Sequence, residues 1–155
     1  MNRAEIRAAV REYLDLIETG ASSVSESERR LSVLLDRLAV AMHHVVFQFD
    51  DAEYPDAPRR DQSALRATIS MRFPRYGFYN VPESVTEKIG EANCGVGDAI
   101  DDILDIANDL DEFEWCCANT SEDDALWHLQ QSCETHWRAH LRGLQLYLDS
   151  LESGS

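Results

Sequence analysis

The sequence predicts an all-α fold, a helical bundle of four to five helices with one aromatic, proline-containing loop. Three observations carry this. Apolar residues recur at i, i+3, i+4 and i+7 along several long stretches, as on helices with one buried stripe. No stretch alternates apolar and polar residues over four or more positions, so no strand is expected. The chain has 155 residues, 44% of them hydrophobic and 28% charged. That suits one folded domain over residues 1–155, with a core large enough to stand without disulfides or structural metal.

The first helix is expected from Arg3 to Thr19, burying Ile6, Val10, Tyr13, Leu14 and Ile17, with Gly20 as its stop. The second begins between Ser23 and Ser25, where Ser23 with Glu26 and Ser25 with Glu28 both fit a capping box. Its stripe, Leu31, Leu34, Leu35, Leu38, Met42, Val45, Val46 and Phe49, carries the helix to Phe49. Val33, Val40 and Phe47 lie on nearly the opposite side, so this helix is expected at the centre of the bundle, with His43 and His44 at its exposed edge.

Residues 50–60 form a polar loop with Pro55 and Pro58, and Asp61 caps a short third helix to Met71. The stretch from Phe73 to Pro82 is aromatic and turn-rich and is expected to close one end of the bundle. Ligand stacking on Tyr76, Phe78 or Tyr79 is the alternative. Residues 82–97 hold a short helical turn and three glycines. A helix from Gly97 to Cys117 then sets Val96, Ile100, Ile103, Leu104, Ala107 and Leu110 against an arc of carboxylates. Ser121 caps a last helix that runs unbroken to Leu151, its stripe containing Leu126, Leu129, Cys133, Trp137, His140, Leu141, Leu144 and Leu148.

The formal charge of −15 excludes partners that present phosphate backbones or anionic lipid. No apolar run approaches the roughly 18–20 residues of a membrane span, and the N-terminal stretch has no secretory core. The expected partners are therefore proteins or a second copy, with no nucleic acid and no membrane. Cys94, Cys116, Cys117 and Cys133 contain no C-x-x-C pair and read as reduced structural thiols in a cytoplasm.

Two constellations can carry chemistry. Asp98, Asp102, Asp105 and Asp109 share one helix face; they read first as a solvated surface and second as ligands for a divalent metal. His136 and His140, with Trp137 between them, place two imidazoles four residues apart, as helical zinc sites do. The glutamate of an H-E-x-x-H motif is missing, and the bland reading is two part-buried histidines. The glycines at 90, 95 and 97 lack the strand and lysine of a phosphate loop, and no G-x-S-x-G elbow occurs.

The stretches GDAIDDILDIANDLDE (97–112) and DALWHLQQSCETHWRAHLRGL (124–144) resemble the bacterial domain of unknown function 5063 family. The family's acidic helix pattern falls on Asp101, Asp102, Asp105, Ile106, Asp109 and Leu110. Its tryptophan and H-W-G-x-H pattern falls on Trp127, His136, Trp137 and His140, with Arg138 in place of the glycine. The resemblance covers residues 70–148. It implies an all-helical cytoplasmic protein without an established activity, and it draws Asp102, Asp105, Asp109, His136 and His140 together as one candidate site.

With no catalytic constellation in view, the leading expectation is a non-catalytic, self-associating or adaptor module without a cofactor. The rival is a divalent-metal site, hydrolytic on a phosphorylated small molecule, built from Asp102, Asp105, Asp109, His136, Trp137 and His140. One objection stands against it: the aspartates lie opposite their own helix's core stripe, whereas the histidines lean toward the core.

Overall fold

The computed structural model describes residues 1–154. Six helices and one hairpin follow in the order α1 (Arg3–Thr19), α2 (Val24–Met42), α3 (Gln62–Arg72), β1 (Phe78–Pro82), β2 (Cys94–Asp98), α4 (Ala99–Asn119), α5 (Glu122–Ser132) and α6 (Arg138–Glu152). A π-helical turn (Cys133–Trp137) joins α5 to α6.

The helix starts follow local chemistry. Asn2 and Glu5 cap α1 reciprocally, Ser23 and Asp61 cap α2 and α3, and Ser121 accepts from the Asp124 amide at the start of α5. Gly20 ends α1 at φ 76°, and Arg72 donates to the Ile17 carbonyl (2.6 Å) and to that of Glu18, so α3 ties down the α1 C-terminus.

Helix α2 ends at Met42, short of the expected Phe49. The reason is competition for the backbone. Arg3 donates to the Val46 carbonyl (3.1 Å), and the Gln48 amide donates to Asp123 (3.1 Å). The β-branched and aromatic residues after Met42 are weak helix formers and yield to these charged partners. Val46 and Phe49 are left exposed.

Nor is α2 central. It packs on α1 and α6, with Val33 and Val40 half exposed, whereas α4 touches α1, α3, α5, the π turn, α6 and β2. Ten α4 residues are buried, among them Ile100, Ile103, Ile106, Leu110 and Phe113. Tyr13 of α1 is fully buried and donates to the Ile103 carbonyl (2.9 Å). The core is therefore organised around the acidic helix.

The hairpin is a further departure from the all-helical expectation. Strands β1 and β2 pair antiparallel, Phe78 opposite Asp98 and Tyr79 opposite Gly97. Tyr79 packs inward opposite Gly97, while Val81, opposite Gly95, is exposed, so the alternating apolar signal of a strand pair is absent. Val96, expected on the core face of α4, sits on β2 and is 77% exposed. The link between the strands holds a single hydrogen-bonded turn, Glu91 N–H to the Lys88 carbonyl (2.8 Å).

The last helix is not unbroken α-helix. Leu129, Cys133, Trp137 and Leu141 are all buried at four-residue intervals. In an α-helix each such step overshoots by about 40°, or roughly 120° over three steps. The π turn absorbs the overshoot with an i to i+5 bond from the Arg138 amide to the Cys133 carbonyl. The buried Trp137 anchors it, its indole N–H donating to Ser132 Oγ (3.1 Å).

Candidate functional site

Helix α4 presents Asp102, Asp105 and Asp109 toward the π turn and α6. His140 Nδ1 lies 2.7 Å from Asp102 Oδ1, and His136 Nδ1 lies 2.6 Å from Asp109 Oδ2. Facing a carboxylate, each Nδ1 is placed to donate its proton, and in the neutral ring this leaves the lone pair on Nε2. His140 Nε2 is 3.5 Å from Asp105 Oδ2. One ligand atom from each of Asp105, His136 and His140 lies within 4.8 Å of the others.

The objection from helix faces fails because α4 is covered on both sides. Its apolar residues meet the core, and its acidic face meets the π turn and α6. The expectation of a solvated acidic arc is corrected at Asp102, which is 5% exposed. This carboxylate accepts from His140 Nδ1–H and from the Tyr79 hydroxyl, so its burial is hydrogen-bonded. Asp105 and Asp109 are partly shielded, and Asp98 is engaged by Arg66 (2.9 Å).

Tyr79 owes its position to two glycines. A Cβ on Gly97 would come within 2.6 Å of the Tyr79 ring, and one on Gly143 within 2.7 Å of its hydroxyl. Tyr147 stacks on the same ring at 5.0 Å. The aromatic loop thus closes over α4 and α6: Phe73 is buried and Tyr76 stacks on it at 5.2 Å, while Phe78 stays exposed. Sequence reasoning missed Tyr79 as a hydrogen-bonding member of the site.

Of the predicted residues, Asp102, Asp105, Asp109, His136 and His140 come together. Trp137 does not; it is 1% exposed and belongs to the core. A cleft of about 500 Å³ opens beside His140, lined by the hairpin, Asp101, Asp102, Asp105, Ala139 and Gly143.

Charge is distributed unevenly along α4. Arginines pair with Asp98, Asp101, Asp111 and Glu114. Among the described residues, the ion pairs of Asp102, Asp105 and Asp109 are to histidines alone. The Asp102 hydrogen bond, followed by the charges of Asp102, Asp105 and Asp109, holds the His140 imidazole above its ordinary value against the opposing effect of burial. Burial raises the Asp105 carboxyl, against the pull of His140 and His136. A divalent cation would neutralise the excess negative charge here.

No family model and no curated protein matches the sequence. A fold comparison does find a likeness. The crystal structure of protein BF1032 from Bacteroides fragilis superposes with a TM-score of 0.75, over 96% of this chain and 90% of that one, at 15% identity. At that identity the likeness concerns the fold alone. Among the described residues no helix is long and apolar enough to cross a membrane.

Proposed function

We propose that this protein binds a divalent transition-metal ion through Asp105, His136 and His140, at the mouth of a cleft sized for a small molecule. The observation that carries the reading is the pair of short carboxylate hydrogen bonds to Nδ1 of both histidines. Histidines that ligate metals usually donate their other ring N–H to a carboxylate, which fixes the tautomer and raises ligand basicity. Asp102 and Asp109 supply that support here, and Tyr79 steadies Asp102 in turn. Two imidazoles and one carboxylate suit iron(II), manganese(II) or zinc(II) and leave coordination positions open. Ligand bonds of about 2.0–2.2 Å need donor atoms roughly 3–4 Å apart, so small side-chain adjustments close the set.

A metal so held would activate water or polarise a bound oxygen. Among the described residues the cleft lining contains no arginine or lysine, so a phosphorylated substrate would depend on the metal for charge neutralisation. The residues that resemble the domain of unknown function 5063 family include those that build this site, and family membership is part of the proposal, as is a cytoplasmic location.

A second reading is self-association or protein binding through the hairpin, favoured by the exposed Phe78 and Val96. Light scattering after size exclusion tests it, and a strict monomer at high concentration removes its self-association form. For the metal reading, untagged protein purified without chelator should carry close to one equivalent of metal attributable to this site. The double variant H136A/H140A should lose that equivalent while keeping its fold by circular dichroism. Equal metal content in the two proteins sinks the reading.

A further inference from the structure

A second cluster lies farther along α4. Cys116, on its last turns, is 2% exposed. Asp124 and His128 stand four residues apart on α5, so both face the same side. One ligand atom from each of these three residues lies within 4.8 Å of the others. Asp105 and Cys116 are separated by eleven residues of α4, or about 16 Å along its axis, so this is a separate place in the fold.

The side chains here are not satisfied by one another. Asp124 Oδ2 is buried with no hydrogen-bond partner among the described residues. His128 Nε2 stands 3.7 Å from it, and His128 Nδ1 stands 3.9 Å from Glu112 Oε1, both beyond hydrogen-bond reach. Among the described residues no arginine or lysine lines the space around them, a recess of about 200 Å³ roofed by Tyr54, Pro55, Asp56 and Ala57. That roof is fastened: Asp50 accepts from the Tyr54 hydroxyl (2.7 Å) and from the Ser121 hydroxyl that caps α5. A buried carboxylate oxygen without a donor is uncommon in a folded protein and asks for an explanation.

We propose that Cys116, Asp124 and His128 form a second cation site, selective for zinc(II) and similar thiolate-seeking divalent ions. A mixed sulfur, nitrogen and oxygen set suits zinc, whereas magnesium and calcium take oxygen ligands. Binding displaces the Cys116 thiol proton to solvent, coordinates the neutral imidazole and gives Asp124 Oδ2 its missing partner. Glu112 then accepts the remaining ring N–H of His128 once the side chains close. The recess leaves a fourth position for water or a small ligand. The ion joins the end of α4 to the start of α5 across the Asn119–Ser121 turn.

The test is a cobalt(II) titration of untagged, chelator-stripped protein in reducing buffer, followed by the near-ultraviolet thiolate-to-cobalt charge-transfer band. The wild type should bind a cobalt equivalent that shows this band. The variant C116S should lose the band. D124N, which preserves side-chain size and guards against misfolding of C116S, should weaken the band-bearing equivalent at least tenfold. H136A/H140A should keep the band, so loss of the first site is distinguishable from loss of this one. Absence of the band in the wild type, its persistence in folded C116S, or equal affinity in D124N and wild type overturns the proposal.

Discussion

Two histidine-bearing clusters sit on one helix and differ in how their imidazoles are held. At Asp105, His136 and His140, both rings are fixed through Nδ1 by hydrogen bonds of 2.6 and 2.7 Å. At Cys116, Asp124 and His128, the ring lies between carboxylates at 3.7 and 3.9 Å and is fixed by neither. The first cluster is organised before any ion arrives. The second is a set of donors that an ion must draw together. Preorganised ligands lose less on binding, so the first cluster should tolerate removal of a ligand's support poorly. The second should depend mainly on its thiolate.

The largest effect that would break this contrast is at Asp102. Its replacement in D102A leaves the Tyr79 hydroxyl and His140 Nδ1–H without their acceptor in a shielded place. Urea unfolding should report a loss of about 3 kcal/mol, the lower end for breaking a buried pair. Next comes the support of His136. In D109N, calorimetric titration should show metal affinity at the first site reduced by roughly 10- to 100-fold, with the fold intact. The same measurement on the Cys116 site should be unchanged. In G143A the new methyl meets the Tyr79 hydroxyl. A loss of about 1–3 kcal/mol, the usual cost of overpacking, is expected by thermal unfolding.

The smallest effect concerns pH. In metal-free protein His140 is raised above its ordinary value of 6.5, first by its hydrogen bond to Asp102. A group raised on folding contributes its stability fully below its unfolded value. That contribution fades as pH rises through the folded value. Stability of chelated wild type relative to H140Q should therefore be greatest in mild acid and decline above neutrality, by about 1 kcal/mol or less. A flat difference across that range contradicts the assigned hydrogen bond.

Much of the scaffold was legible in the sequence because caps and apolar periodicity act locally. Arg3 to Thr19 and the Asp61 cap follow from Gly20, Asp61 and the residue spacing alone. The end of α2 was hidden, because Val45, Val46 and Phe49 continue the helical period while distant groups, Arg3 and Asp123, take the backbone. The hairpin was hidden because Gly95 and Gly97 occupy the positions where a strand would show apolar side chains. The π turn did leave a trace, the four-residue spacing from Leu129 to Leu141, which reads as ordinary periodicity until the phase is summed. The candidate residues themselves were legible by type, but not their meeting. That depends on α4 being the central helix, which follows from the packing of all the other elements. Cys116, Asp124 and His128 were missed because Cys116 pairs with no other cysteine and its partners lie beyond the turn.

The central claim is that Asp105, His136 and His140 close on one ion. Crystals grown with manganese(II) or zinc(II), with diffraction recorded on either side of the metal absorption edge, test it most directly. The expected result is an anomalous peak bonded to Nε2 of both histidines and to the Asp105 carboxylate, with Asp102 and Asp109 still holding Nδ1. Ordered side chains in their present hydrogen bonds with no anomalous density among them, at saturating metal, would contradict it.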